Sequence, residues 1–292
     1  MAKDSAPPDS RFIDFNFSTG CVYALGMTYA DHLRETGEKS TAPVVFLKRG
    51  QPMHVDRTHV QTPSSGELLE TLHQLDPSLA AWLGRRFPVM PALFDYEVEL
   101  GLVLLEDISL QQLNDASHVP QIGLFVANDL TARSVQIAGE GSADKLRFWS
   151  AAKSFPDFLA VGARIWCATA PQLDSWPELT LQTRVNGQIR QSASSQQMIY
   201  TPRQMLQFAA QAAPAGLLRK NDLVLTGTPA GVALSVPRWM RRLAVCLPRR
   251  QRIRAALRAN TDNSRFLNAG DELVFSAGWL GSRTLHIEDS RA

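Results

Sequence analysis

The strongest constraint on the fold is a succession of short segments rich in β-forming residues and separated by turn residues. Residues 179–185 and 188–193 flank Asn186-Gly187, which supplies the two positive φ angles of a type I′ turn and predicts a hairpin. Residues 96–105 form another apolar segment of this kind. Further strands are predicted at residues 21–27, 43–48, 122–127, 222–226, 271–277 and 284–287.

Helix signals are fewer. Thr201 and Pro202 precede apolar residues at helical spacing, with an N-cap residue and a proline at the first helical position, so a helix is predicted over residues 201–212. Residues 65–75 and 131–139 are also predicted to be helical. Because strands and helices do not alternate regularly, the pattern predicts an α+β fold that is mostly β. We expect an N-terminal tail over residues 1–18 and a single domain over residues 19–292.

Composition excludes several classes of protein. The 292 residues carry 30 Lys+Arg and 28 Asp+Glu, and 45% are hydrophobic, which argues against a disordered chain and a uniformly basic nucleic-acid-binding protein. The three cysteines form no CxxC pair, which favours a reducing compartment over a disulfide framework. No apolar run resembles a signal peptide or a membrane span. We therefore predict a cytoplasmic protein.

Two acids in the segment DYEVELGLVLL are candidate metal ligands. Side chains alternate between the two faces of a strand, so Glu97 and Glu99 share a face. Two neighbouring carboxylates repel each other unless a cation lies between them, and Mg²⁺, Mn²⁺ and Ca²⁺ prefer oxygen ligands. The alternative is a solvated strand face on which the glutamates pair with arginine.

Two other segments carry candidate functional groups. Asp129 ends an apolar strand, where it can face a site or cap a following helix. His32 and Glu35 are spaced so that, on a helical turn, the carboxylate can orient the imidazole as a base. A surface ion pair is the alternative interpretation of these two residues.

The order of several segments resembles the fumarylacetoacetate hydrolase family. Eight stretches occur in family order between about Tyr23 and Gly281. The resemblance implies a mixed β-roll or sandwich core around a buried divalent-metal site. The stretches are YALGMTYADHLRE, PVVFLKRG, DYEVELGLVL, GLFVANDLTARSVQ, WSAAKSF, VNGQIRQ, DLVLTGTPAGVA and GDELVFSAGWLG.

The same resemblance implies roles for individual residues. Metal ligands would be Glu97, Glu99 and Asp129, for Mg²⁺, Mn²⁺ or Ca²⁺; His32 and Glu35 would form the catalytic dyad. Lys153 would stabilise an oxyanion, although by itself it is also typical of a surface lysine. Thr226 to Pro229 would form a substrate-binding turn, although such a turn also has a purely backbone explanation. Substrate-binding positions implied in this way are Tyr29, Lys48, Arg133, Gln136 and Thr228.

The resemblance also implies an activity. We expect a hydrolase that cleaves a C–C bond in a small β-diketo or 2-oxo acid, of the acylpyruvate or fumarylacetoacetate type, and that forms a homodimer. Decarboxylation of a 2-oxo diacid, and isomerisation or hydration of a 2-hydroxydienoate, would use the same groups. A catalytically silent relative that binds 2-oxo acids with a metal is the non-enzymatic alternative.

A basic insertion departs from the family pattern over about residues 235–268. Residues 238–265 contain nine Arg, one Asp and no Lys or Glu, a net charge of +8, which leaves −6 for the rest of the chain. Trp239, Leu243, Cys246 and Leu247 lie at helical spacing. A basic amphipathic helix can lie on an anionic membrane or contact a protein partner. The alternative is a helix packed on its own subunit; nucleic acid is not an expected partner.

Overall fold

A computed structural model describes residues 5–7, 10–30, 42–168, 173–234 and 247–290 of the chain. The predicted dyad, His32 and Glu35, lies outside the described residues. So do Trp239, Leu243 and Cys246 of the predicted apolar stripe in the insertion.

A mixed sheet forms the centre of the molecule. Its strands run in the order β1-β11-β8-β6-β15-β2-β3, and β10 also pairs with β8. The strands are β1 (Phe12–Asp14), β2 (Val22–Gly26), β3 (Val44–Lys48), β6 (Val98–Leu104), β8 (Ile122–Asp129), β10 (Leu159–Val161), β11 (Arg164–Cys167) and β15 (Leu223–Leu225).

The predicted hairpin belongs to a second sheet and is confirmed. Asn186 and Gly187 have φ angles of 51° and 76°, as a type I′ turn requires. The strand order is β13-β12-β16-β17-β4. These strands are β4 (His59–Gln61), β12 (Thr180–Val185), β13 (Gln188–Ser194), β16 (Glu272–Ala277) and β17 (Ser282–Glu288). Two short pairs join β5 (Phe94–Asp95) to β9 (Thr131–Ala132) and β7 (Ile108–Ser109) to β14 (Leu217–Leu218).

Helices lie around the sheets. The predicted helix near residue 201 is confirmed: Thr201 caps it, in a capping box with Gln204. The helices of the described segments are α1 (Ser65–Leu75), α2 (Pro77–Gly84), α3 (Leu110–Asn114), α4 (Arg133–Ala138), α5 (Lys145–Ala152), α6 (Pro202–Ala212) and α7 (Arg249–Thr261). The observed architecture is the predicted α+β class.

Both faces of the central sheet are buried. Leu102 and Leu124 face a large core that also contains Phe275 of the second sheet, whereas Val103 and Phe125 face a smaller apolar cluster. Every residue of β6 and β8 is buried. Burial on both faces makes these two strands a rigid support for polar side chains at their ends.

Within the predicted N-terminal tail, residues 12–15 pack against the central sheet instead of forming a loose segment. Phe12–Asp14 forms the edge strand β1, which pairs with β11, and Phe15 is buried. The apolar surfaces of Phe12 and Phe15 supply the burial that holds this segment against the sheet. Because proline and polar residues precede position 12, the sequence pattern alone does not indicate this short strand.

None of the helices in the described residues has the length and apolar character needed to cross a membrane.

Candidate metal and substrate site

Three predicted ligands meet where β6 begins and β8 ends. These two strands are antiparallel, with Val98 opposite Asn128, and the amide of Asp129 donates to the carbonyl of Glu97 at 2.9 Å. This register places Asp129 beside Glu97, and alternation places Glu99 on the same face. One carboxylate oxygen from each of the three residues lies within 4.8 Å of the others. All three side chains are buried, so the interpretation as a solvated strand face is wrong.

Asp129 does not cap a helix. The helix that follows, α4, has Ala132 as its N-cap residue and no side-chain cap. Asp129 remains within β8, and its carboxylate is therefore available to the acidic cluster.

Lys153 lies among these acids. It follows α5 directly, and its Nζ is 2.6 Å from Glu97 Oε2, 2.7 Å from Asp129 Oδ2 and 2.9 Å from Thr131 Oγ1. Burial by itself lowers the pKa of this ammonium, but Asp129 and Glu97 outweigh burial and raise it. The interpretation of Lys153 as a surface lysine is wrong, because only 4% of the residue is exposed.

Lys48 binds the other carboxylate oxygen of Asp129. It is the last residue of β3, and its Nζ is 2.6 Å from Asp129 Oδ1. The same ammonium donates to the carbonyls of Lys153 and Phe158. Burial lowers the pKa of Lys48, although Asp129 acts in the opposite direction. With its three acceptors all supplied by protein, Lys48 holds Asp129 in place.

Arg133 connects the cluster to a fourth acid, Asp95. Arg133 is the first residue of α4. Its Nε lies 2.7 Å from Asp95 Oδ2, and its Nη2 lies 2.5 Å from Glu97 Oε1. Its Nη1 donates to Gln136 Oε1 at 2.6 Å. The predicted pocket residues Arg133 and Gln136 are thus brought together beside the carboxylate of Glu97.

Sequence reasoning missed Asp95. It lies two residues before Glu97, and this spacing was a signal that it could share the face of the other acids. Its carboxylate also accepts from the amides of Tyr96, Ala233 and Leu234.

Glu99 has the least compensated charge of the acids in this site. Within the described segments no lysine or arginine forms an ion pair with it, and its carboxylate accepts from the amide of Gly227 at 2.8 Å. Burial, followed by the charges of Asp129 and Glu97, raises its pKa well above the usual value. A cation beside Glu99 would relieve this electrostatic cost.

The loop that supplies Gly227 requires glycine at this position. Gly227 has a φ of +85°, and a Cβ there would lie 2.7 Å from the carbonyl oxygen of Leu25. Thr228 donates to the carbonyl of Val98 at 3.0 Å and accepts from Gln191 at 2.8 Å. Its predicted contact with a substrate carboxylate stays a prediction.

Tyr29 carries a buried hydroxyl without a hydrogen-bond partner among the described residues. The residue is 1% exposed, and burial together with the charge of Glu99 raises its pKa. Buried polar groups in proteins nearly always have a partner. This hydroxyl therefore fits a site that takes a water molecule or a polar ligand near Glu99.

The charges of the site fit a divalent cation. The site contains four buried acids and three buried cations, which gives a net charge of −1 for these described groups when all are ionised. The acids are Asp95, Glu97, Glu99 and Asp129, and the cations are Lys48, Arg133 and Lys153. A divalent ion would change this to +1, which suits an anionic ligand. Three carboxylates are the donor set that hard divalent ions prefer.

Most of the chain resembles known proteins. Residues 21–287 match the family described as fumarylacetoacetate (FAA) hydrolase C-terminal. The chain is 30% identical to a mitochondrial oxaloacetate tautomerase of Schizosaccharomyces pombe, over 75% of this chain and 85% of the relative. It is 33% identical to an uncharacterized protein of Archaeoglobus fulgidus, over 73% and 69% of the two chains.

The fold also resembles solved structures. A fumarylpyruvate hydrolase from Pseudomonas aeruginosa, solved in complex with Mn²⁺ and pyruvate, superimposes with a TM-score of 0.58 at 20% identity and covers 98% of both chains. An HpcE-type protein from Mycobacterium smegmatis gives a TM-score of 0.61 at 24% identity, over 94% of this chain and 76% of the other.

Proposed function

Because this chain belongs to the fumarylacetoacetate hydrolase family, we propose that it is a divalent-metal-dependent hydrolase that cleaves a C–C bond in a small acylpyruvate-type acid. The observation that carries this proposal is the meeting of Glu97, Glu99 and Asp129 in a buried site that also contains Lys153. Family relatives include enzymes that act on oxaloacetate and fumarylpyruvate.

The three acids would hold Mg²⁺, Mn²⁺ or Ca²⁺. A bound ion of this kind supplies a Lewis acid that polarises the carbonyl oxygens of a 2-oxo acid. The solved fumarylpyruvate hydrolase, with Mn²⁺ and pyruvate, supports this class of ion and ligand.

The protein supplies the remaining charge stabilisation. Lys153 Nζ lies between two of the acids, where it can stabilise negative charge that develops on a substrate oxygen. Arg133 and Gln136 border the same acids and are proposed to orient the substrate carboxylate. The buried hydroxyl of Tyr29 is a further donor near Glu99. Exclusion of water from so buried a site strengthens each of these interactions.

Hydrolysis requires a base for water, and we assign this role to His32 with Glu35 as its orienting partner. His32 takes a proton from water, and the resulting hydroxide attacks the acyl carbonyl carbon. The bond from that carbon to the methylene of the pyruvyl group then breaks, and its electron pair passes to the pyruvate enolate. Protonation of the enolate carbon gives pyruvate and a carboxylic acid.

A second candidate is tautomerisation of a 2-oxo diacid such as oxaloacetate. The relative with 30% identity, an oxaloacetate tautomerase, favours it. Tautomerisation needs stabilisation of an enolate and a proton transfer but no attack by water. The same acids and Lys153 would serve both reactions, so the two candidates differ in the part played by His32.

A substrate panel with metal-reconstituted enzyme tests the proposed function. We expect acylpyruvates to be hydrolysed with Mg²⁺ or Mn²⁺, and EDTA to reduce the rate at least about 100-fold, because the ion supplies a major part of the catalysis. Pyruvate release and the absorbance of oxaloacetate enol should be followed in parallel. Turnover that EDTA leaves unchanged would refute the metal dependence. Tautomerisation without pyruvate release would select the second candidate. No turnover of any 2-oxo acid, despite metal binding, would select the silent binder.

His32→Ala should separate chemistry from metal binding. We expect acylpyruvate hydrolysis to fall about 100-fold, the range for loss of a general base, while Mn²⁺ affinity measured by calorimetry stays within about twofold, because His32 is not among the proposed ligands. His118→Ala is the matched control, since His118 lies outside the acidic site. Wild-type hydrolysis in His32→Ala would remove this residue from the role of base.

A further inference from the structure

The second half of the basic insertion packs on its own chain. Helix α7 buries Ile253 and Leu257, which lie four residues apart on one face and belong to the main core. Arg250 donates to Ser78 Oγ at 2.9 Å and lies over the ring of Trp82. For residues 249–261, these contacts agree with a helix packed on its own subunit. The membrane and partner interpretations of residues 238–246 stay predictions.

One contact of the insertion reaches the helix that carries Arg133. Arg249 Nη2 donates to the carbonyl of Ala138 at 2.6 Å, and its Nε donates to the carbonyl of Glu140 at 3.0 Å. Ala138 is the last residue of α4. Carbonyls at a helix C-terminus lack partners within the helix, and a cation there is stabilising. Arg249 therefore fixes the end of the helix whose first residue, Arg133, binds Glu97.

Two other contacts reach the loop that supports Glu99. Asn263 Nδ2 donates to the carbonyl of Ala233 at 3.0 Å, and Arg265 Nη2 donates to the carbonyl of Gly231 at 2.7 Å. The same loop donates the Gly227 amide to Glu99. The insertion thus binds two carbonyls of this loop, while Glu99 binds its Gly227 amide.

Asp95 links α4 to the loop that supports Glu99. It accepts from the amides of Ala233 and Leu234 in the loop, and it pairs with Arg133 at 2.7 Å. Residues of the insertion therefore contact both structures that border the acidic site, and the two structures are tied to each other through one buried carboxylate.

We propose that Arg249 and Arg265 are positioning residues of the active site: Arg249 sets the substrate side through α4, and Arg265 sets the metal side through the loop at residues 226–234. This assignment rests on the proposed function for its kinetic consequences. Neither side chain is placed in contact with the substrate. The two connections end on different groups, Arg133 and Glu99, so the larger effect of each variant should fall on a different constant, although Asp95 ties α4 to the loop.

The experiment compares Arg249→Ala, Arg265→Ala and the control Arg258→Ala, an exposed arginine of α7. For Arg249→Ala we expect KM to rise about tenfold with Mn²⁺ affinity within about twofold, and for Arg265→Ala we expect Mn²⁺ affinity to fall about tenfold, as for other residues behind ligands. Arg258→Ala should match the wild type. A loss of fold stability alone would not produce this division between KM and Mn²⁺ affinity.

Hydrogen exchange provides a readout that does not depend on turnover. Amides of residues 133–138 should exchange faster in Arg249→Ala, and amides of residues 226–234 faster in Arg265→Ala. Absence of metal-dependent turnover in the wild type would refute the proposed function. The exchange data would still show whether Arg249 stabilises α4 and whether Arg265 stabilises the loop. If an alanine variant does not fold, Arg249→Lys and Arg265→Lys should show the same effects with smaller magnitude, because lysine keeps a charged donor group but lacks the planar guanidinium. Wild-type constants and wild-type exchange in these variants would overturn the proposal.

Discussion

Replacing Glu99 with glutamine is expected to lower Mn²⁺ affinity at least about 100-fold and to reduce turnover in proportion, because it removes a charged oxygen ligand while keeping the shape of the side chain. The amide oxygen of glutamine can still accept from Gly227, which now lies 2.8 Å from Glu99 Oε2. The fold should therefore be retained. Calorimetric titration with Mn²⁺ and the acylpyruvate assay measure the two effects.

The same substitution should stabilise the metal-free protein at neutral pH. Burial and the charges of Asp129 and Glu97 raise the pKa of Glu99 in the folded state, above its value in the unfolded chain, which is about 4.3. A folded state that binds protons more tightly than the unfolded state loses stability as pH rises through this interval. In EDTA, the melting temperature of Glu99→Gln minus that of the wild type should therefore increase as the pH rises above about 4.

A matched control separates this effect from general changes in charge. Glu178→Gln removes the charge of an exposed glutamate and should leave both Mn²⁺ affinity and the pH dependence unchanged. Wild-type Mn²⁺ affinity in Glu99→Gln would exclude Glu99 as a ligand. A metal-free variant less stable than wild type at every pH would contradict the electrostatic argument.

The parts of the fold that the sequence predicts are those set by local chemistry. The Asn186-Gly187 hairpin and the helix capped by Thr201 depend on residues that are neighbours in the chain. The shared face of Glu97 and Glu99 likewise follows from strand alternation alone. Such features can be predicted because nothing distant is needed to specify them.

The parts that could not be predicted depend on residues far apart in the sequence. Asp95 becomes important because Arg133 and the amides of Ala233 and Leu234 converge on it from separate elements. The partners of Lys153 could be assigned before the structure only through a family resemblance, since an isolated lysine is typical of the surface.

The insertion illustrates the same limit. Its apolar stripe was predicted around Trp239 to Leu247, mostly outside the described residues, and the sequence pattern did not indicate the helix α7, which begins at Arg249 and buries Ile253 and Leu257. Its arginines left open a surface for an acidic partner or a helix packed on its own subunit, and Arg249 and Arg265 donate to backbone carbonyls of the same chain. Charge composition cannot reveal such acceptors, because every residue carries a carbonyl.

Lys153→Met should have opposite effects on metal binding and catalysis. Lys153 forms ion pairs of 2.6 and 2.7 Å with Glu97 and Asp129 in a site where it is 4% exposed. Removing one member of a buried ion pair leaves an uncompensated charge, so we expect the metal-free protein to lose about 3–5 kcal/mol of unfolding free energy. Chemical denaturation in EDTA measures this loss.

The lost charge should, however, leave Mn²⁺ affinity at least at the wild-type level. The net charge of the described site groups changes from −1 to −2 when Lys153 is removed, which favours a divalent cation. Saturating Mn²⁺ should therefore recover more stability in Lys153→Met than in wild type, because ligand binding to the folded state adds stability. Thermal unfolding with and without Mn²⁺ gives this difference directly.

Catalysis should not recover with the metal. Methionine has no donor for a developing oxyanion, and loss of one such donor typically lowers kcat by about 100- to 1000-fold. Lys220→Met, which changes an exposed lysine, should behave as wild type in all three measurements. A variant that binds Mn²⁺ tightly and folds with it but does not turn over would assign Lys153 to transition-state stabilisation. Wild-type turnover at saturating Mn²⁺ would limit its role to balancing charge in the metal-free protein.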